Sequence, residues 1–226
     1  MRYPRPRARG GKGHGLRIGV ASDSFGNVEL LGSVLERFAR ARVDRVFFLG
    51  GRCADVDAVL ARRGSGVPRQ APVPRTDAEF LAAVQGALAR QAGAARDPLA
   101  GKVVRVASRA CAEYASGAVP RKQVDLVEGL ICCLVHDKAD LDRDDIANAS
   151  VIFHGNSGHA ALVQIGPRTF VTPGQLRAPA PAGRPGTYGV VEVTAKELVL
   201  TVFSEAGAEL KRERASFAAG AKMSVR

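Results

Sequence analysis

Four histidines, four cysteines and a carboxylate at the end of the first apolar run are the side chains of this 226-residue chain best suited to chemistry. Asp23 follows the run Leu16–Ala21, His136 follows Leu130–Val135, and His154 ends Val151–His154, with His159 five residues further on. Together Asp23, His136, His154 and His159 could supply the oxygen and nitrogen donors of a mononuclear metal site. His154 and His159 are separated by a Gly-rich turn, so a hydrogen-bonded strand-end role is the simpler reading for each histidine. Asp23 has its own simpler role: at a strand end before Ser24 and Gly26-Asn27, a carboxylate caps the next helix or accepts N–H groups of the turn. His14 falls in a polar, basic stretch and reads as solvent-exposed.

The cysteines argue against thiol chemistry. Cys53, Cys111, Cys132 and Cys133 form no CxxC, so a thiolate zinc site has no support. A phosphate-holding cysteine loop needs an Arg six residues on, where Val59 and Gly117 stand after Cys53 and Cys111. Cys132 and Cys133 are adjacent in an apolar run and point to opposite faces of a strand. All four read as core-filling residues.

The elements that would position these groups alternate. Leu16–Ala21 reads as a strand that ends in the turn Ser22–Asn27. Leu31, Val34, Leu35 and Phe38 then mark a helix by their i, i+3, i+4, i+7 stripe. Val46–Leu49 is a second strand stopped by Gly50-Gly51, and Asp55–Arg62 a second helix. Residues 64–75 read as a Gly/Pro/Arg-rich loop, and Thr76 to Glu79 as a capping box opening a helix to Gln91. Val103–Ala107 is a third strand. Gln123–Val127 and Leu130–Val135 form a hairpin across Glu128-Gly129, and Leu141–Ala149 is a short helix. Strands Val151–His154, Ala161–Ile165, Thr169–Thr172, Thr187–Val193 and Glu197–Phe203 follow, with a Pro/Gly-rich loop over 177–186. Strand-helix alternation followed by a meander predicts an α/β/β/α sandwich or one mixed sheet. The strand ends at Asp23, Gly51, Ser108, His136 and His154 would line a single edge, where α/β folds place their ligands.

Hydrophobic residues make up 46% of the chain and charged residues 24%, which excludes wholesale disorder, collagen and coiled coil. No apolar run approaches the ~20 residues of a membrane span, and Leu16–Ala21 is too short for a secretory core, so a cytoplasmic protein is expected. The net charge of +11 is concentrated at the ends. Residues 1–15 carry Arg2, Arg5, Arg7, Arg9 and Lys12 without an acid; residues 211–226 carry five basic residues against Glu213. The expected division is a basic disordered arm over 1–15, a domain over 16–205 and a basic tail over 206–226. Such ends can contact nucleic acid or another anionic surface in a salt-sensitive way, although only Tyr3 and Phe217 are there to stack on bases.

Five pieces in order resemble the calcineurin-like metallophosphoesterases, in the small bacterial phosphodiesterase branch that also holds the retromer scaffold subunit Vps29. They are Ile18 to Asn27 (IGVASDSFGN), Val43 to Gly50 (VDRVFFLG), Leu134 to Asp137 (LVHD), Val151 to Gly155 (VIFHG) and Phe170 to Leu176 (FVTPGQL). The resemblance covers residues 16–205 and implies a metallophosphoesterase-like α/β/β/α sandwich of two mixed sheets flanked by helices. It also implies two divalent metals, Mn or Zn, if the protein is active, clamped by a bridging carboxylate. The family's motifs map onto this chain with losses. Its DxH is Asp23-Ser24-Phe25, its GD is Gly50-Gly51, and its GN[HC][DE] is Ser108-Arg109-Ala110-Cys111. Its lone His is His136, and its GHxH is Gly155-Asn156-Ser157-Gly158. Asp23 and His136 remain; Phe25, Gly51, Arg109, Asn156 and Gly158 stand where ligands should.

The expectation is therefore a pseudoenzyme with no bound metal, acting as an interaction or scaffold module for a protein partner. Phe25 and Gly51 would turn the metal cleft into a small apolar pocket for a peptide side chain. Arg109 and Lys138 could contact an anion. The alternatives are a metal-dependent phosphodiesterase or phosphatase with an altered site, and association with nucleic acid or an anionic surface through the basic ends.

Overall fold

The computed structural model describes residues 15–65, 97–99, 101–177, 185–194 and 196–217. Residues 1–14 of the arm expected over 1–15, and the helix expected from Thr76 to Gln91, lie outside them. Most of the loop expected over 64–75 does too, but Gly64 and Ser65 belong to the preceding helix.

Two mixed sheets stack face to face. The first has six strands in the order β11-β10-β9-β1-β2-β3, with β1 at Leu16–Ala21, β2 at Arg45–Phe48, β3 at Val103–Arg105, β9 at Thr187–Val193, β10 at Glu197–Ser204 and β11 at Glu209–Ser216. Within it β1, β2 and β3 run parallel, and β9, β10 and β11 are added antiparallel. The second sheet runs β4-β5-β6-β8-β7, with β4 at Lys122–Val127, β5 at Leu130–Val135, β6 at Val151–His154, β7 at Ala160–Ile165 and β8 at Arg168–Pro173. Here β5, β6 and β8 are parallel, and the edge strands are antiparallel hairpin partners. The β4–β5 hairpin turns through Glu128 at φ 51° and Gly129 at φ 81°, the two left-handed residues of a tight two-residue connection.

Strand alternation decides which side chains meet. Ile18, Val20, Phe47, Leu49, Leu134, Phe153, Val191 and Leu200 point between the sheets and form the main core, where Phe47 and Phe153 meet edge to face at 5.1 Å. Helix α1 (Val28–Arg40) buries Leu31, Val34, Leu35 and Phe38, the residues its periodicity marks, on the outer side of the first sheet. Helix α2 (Cys53–Ser65) adds Val56 and Val59 to that layer. The second sheet's outer side is covered by Leu141 and by Ala149, which ends the short helix Arg143–Asn148, over Cys133, Val135, Ile152 and Phe170. That helix begins with a reciprocal capping box between Asp142 and Asp145. The layers are α/β/β/α, as the strand-helix order and the resemblance both imply.

The chain past residue 205 departs from the expected tail. Glu209–Ser216 pairs antiparallel with β10 as the edge strand β11. It mixes charges of both signs and only Ala215 is buried, so its sequence lacks the apolar face that marks a strand; the neighbouring ladder supplies what composition does not.

Candidate functional site

The carboxyl ends of the strands come together as expected. At the end of β1 the backbone turns left-handed at Asp23, φ 55°, and the Asp23 amide donates to Gly50 O at 3.2 Å. His136 follows β5, and its Nε2 lies 2.8 Å from Asp23 Oδ1. Ser22 Oγ donates to the same carboxylate oxygen at 3.1 Å. Asp23 and His136 are 4% and 6% exposed, so the pair is shut off from solvent. With Nε2 on Asp23, His136 Nδ1 has no partner.

Gly50 and Gly51 pass beneath this pair with φ +110° and +96°, left-handed values that a side chain resists. The Gly51 carbonyl is held by Ser108 Oγ at 2.6 Å, which ties the end of β2 to the loop after β3. His154 turns back on its own loop, with Nδ1 3.0 Å from Gly155 O. Burial holds the His154 imidazole below its ordinary pKa, and the nearby Lys138 ammonium pushes the same way. Four strand ends thus meet around Asp23–His136, and His154 lies beside them, hydrogen-bonded to its own loop.

The carboxylate that organises the turn is not Asp23. Asp55, in the first turn of α2 and 6% exposed, accepts from Ser24 Oγ and from the Gly26 amide through the same oxygen, each at 2.7 Å. The N-cap of α1 is Asn27, whose side chain accepts from Leu30 N. Asp23 is thereby free to face His136. Sequence reasoning missed Asp55 because an acid in a helix's first turn is ordinary, and nothing local says that it is buried against another loop. Replacing Asp55 with Ala strands the buried Ser24 hydroxyl and frees the part-buried Gly26 amide, and is expected to cost about 1–3 kcal/mol; urea unfolding measures it, and a change below about 0.5 kcal/mol would remove Asp55 from this role.

The positions that the resemblance matches to lost ligands differ in their surroundings. The Phe25 ring lies under the Arg177 guanidinium at 5.4 Å, and the atoms nearest to a Cβ on Gly51 would be those of Ser24 and Asp23. Arg109 pairs with Asp140 at 2.6 Å, and Tyr114 OH donates to the same oxygen at 2.9 Å, so its charge is committed. Lys138 is exposed on a single turn of 3-10 helix, Lys138–Asp140. Asn156 Nδ2 donates to Asp137 Oδ2 at 3.0 Å, and nothing lies within 4 Å of a Cβ on Gly158. His159 is exposed, away from the buried pair, so the arrangement Asp23–His136–His154–His159 is not assembled.

A divalent cation in a protein takes four to six ligands, with three or more from the chain in a stable site. Among the described residues no group of three His, Cys, Asp or Glu side chains is placed to hold one. The residues present do not fit a pair of metals, and the unpartnered His136 Nδ1 offers one donor only.

No protein-family model and no curated protein sequence matches the chain. Solved structures do. A predicted phosphoesterase from Streptococcus pneumoniae TIGR4 aligns with a TM-score of 0.56 at 15% identity, over 89% of this chain and 97% of that one. A single mutant of Vps29 from Entamoeba histolytica aligns with a TM-score of 0.55 at 15% identity, over 90% and 100%. YfcE, a phosphoesterase from E. coli, aligns with a TM-score of 0.53 at 21% identity, over 88% and 98%. At such identities the likeness is one of architecture, and it agrees with the order of the strand-end pieces read from the sequence: the chain has the fold of the calcineurin-like metallophosphoesterases.

Proposed function

We propose that this chain is a catalytically inactive metallophosphoesterase-like protein that works by binding another protein. The observation that carries the reading is the closed Asp23–His136 contact, buried at 2.8 Å, with no group of three His, Cys, Asp or Glu side chains placed to hold a metal among the described residues. Two-metal hydrolysis needs a carboxylate bridging two cations so that nucleophile and phosphoryl oxygens are held together. Gly51 stands at that position, and the groups that would replace lost ligands are turned to other partners.

Two supports favour a docking role. The resemblance includes a branch in which a member serves as a scaffold subunit. The outer side of the second sheet also leaves Val124, Leu126, Val163 and Ile165 between 47% and 62% exposed on its two edge strands, apolar surface of the kind that protein contacts cover.

Metal content tests the inactive half directly. The purified chain is incubated with excess Mn²⁺ and Zn²⁺, desalted, and analysed by inductively coupled plasma mass spectrometry. Less than about a tenth of an equivalent of either metal is expected; about two equivalents, lost on Asp23→Ala or His136→Ala, would overturn the reading in favour of a metal-dependent phosphodiesterase.

A further inference from the structure

Cys53 and Cys111 are 58 residues apart in sequence and meet at the rim of the site. Cys53 opens α2 two residues after Gly51 and is fully buried; Cys111 precedes the short helix Ala112–Ser116 and keeps 7% exposure. Their side chains pack into one small cluster with Ala107 and Val119, and Tyr114 packs against it. Burial first, and then the neighbouring Cys111 thiol, push the Cys53 thiol up to about 12. Each sulfur also sits on the other loop or its own: Cys53 Sγ donates to Val106 O at 3.8 Å, and Cys111 Sγ to Ser108 O at 3.0 Å. The segments that carry them are already joined by the Ser108–Gly51 hydrogen bond. Cys132 and Cys133 differ: adjacent on β5, they enter separate cores on opposite faces of the sheet.

We propose that Cys53 and Cys111 form a redox modification site, in which a small-molecule disulfide oxidises the pair to an internal disulfide that locks the two loops at the rim together. Cys111, the less buried of the two residues at 7% exposure against 0%, attacks as its thiolate one sulfur of the small disulfide and expels one thiolate, leaving a mixed disulfide on Cys111. Cys53, after losing its proton, attacks the Cys111 sulfur and expels the second thiolate. Two protein thiols are oxidised, and one small disulfide is reduced to two thiols, the two expelled thiolates taking up the two protons that the cysteines lose. The high proton affinity of buried Cys53 makes closure the slow step. The product closes a long loop, the condition under which a cross-link restricts the unfolded chain most. Oxidation thereby stiffens the Gly50–Arg52 turn beneath Asp23 and His136 without adding any group to the site.

The full chain, incubated with oxidised glutathione and then alkylated, tests this by intact mass and a non-reducing peptide map. The expected result is loss of the mass of two hydrogens before alkylation, one cross-linked peptide pair joining Cys53 to Cys111, and Cys132 and Cys133 outside any disulfide. Cys53→Ser should stop the reaction at a stable glutathione adduct on Cys111. The oxidised wild type should melt about 5 °C or more higher, reversed by dithiothreitol. Unreacted thiols, an adduct that persists on wild-type Cys111, or a link involving Cys132 or Cys133 would each overturn the assignment. A link at the right pair with an unchanged or lower melting temperature would overturn the locking. The wild-type map decides the first point even if a variant fails to fold.

Discussion

Gly50→Ala is expected to destabilise the protein by about 2–5 kcal/mol. Two causes act together at this position. The φ of +110° is one that L side chains resist, a cost of about 1–2 kcal/mol. A Cβ there would also lie 2.1 Å from His136 Cδ2, a collision that something must move to relieve. The imidazole cannot simply swing aside, because its Nε2 is held by Asp23 inside a closed site; such overpacking adds about 1–3 kcal/mol. Urea unfolding of Gly50→Ala alone and with His136→Ala separates the two parts. The double variant should recover the steric share and keep the backbone share. A single-variant loss under about 0.5 kcal/mol would mean that the glycine turn and the histidine are not packed as described.

Gly51→Asp would return a carboxylate to the position where the family bridges its metals, and it is expected not to return the metals. At φ +96° the new side chain would start 2.7 Å from the Ser24 amide nitrogen, 3.0 Å from Ser24 Oγ and 3.2 Å from Asp23 Cα. The Ser24 segment has nowhere to yield, since Asp55 holds it through Ser24 Oγ and the Gly26 amide. The expected outcome is a loss of about 2–4 kcal/mol from strain and overpacking. Metal content should stay under about a tenth of an equivalent, because Phe25, Asn156 and Gly158 still supply no ligand. Stoichiometric uptake of two metals by Gly51→Asp would show that the cradle survives with one missing part, and the closed Asp23–His136 contact would then lose its meaning. On the proposed reading the site is rebuilt around a different hydrogen-bond network, and this variant separates rebuilding from simple loss.

What could be read in advance follows from the range of the physics involved. The stripe Leu31, Val34, Leu35 and Phe38 is a local pattern with one helical solution, and those four side chains are the buried ones of α1. Glu128-Gly129 between apolar runs has one economical turn, and the hairpin forms there. Asp23 and His136 were legible as a pair because parallel strands bring their carboxyl ends to one side, wherever they lie in sequence. Asp55 and the Cys53–Cys111 cluster were not legible, since each depends on how closely two loops approach across the sheet edge. The new partners of Phe25 and Arg109 belong to the same class: Arg177 and Asp140 are distant in sequence, and no spacing rule connects them. Strand β11 escaped because an edge strand needs only a neighbour's free ladder, whereas reading a strand from composition needs a buried face.

That last strand changes what the basic end of the chain does. Lys211 Nζ donates to Ala160 O at 2.7 Å, and Glu213 Oε2 accepts from the Leu162 amide at 2.9 Å, so side chains of β11 satisfy backbone groups of β7 in the other sheet. The two sheets are thus stitched along the side where a sandwich is otherwise open. Beneath β11 lies β10, with Leu198, Leu200 and Val202 fully or almost fully buried, an apolar strand that without its cover would present a template to any other unfolded chain. The Glu, Lys and Arg side chains of β11 make a poor template in turn. The charge on β11 thus guards this edge of the folded body against polymerisation.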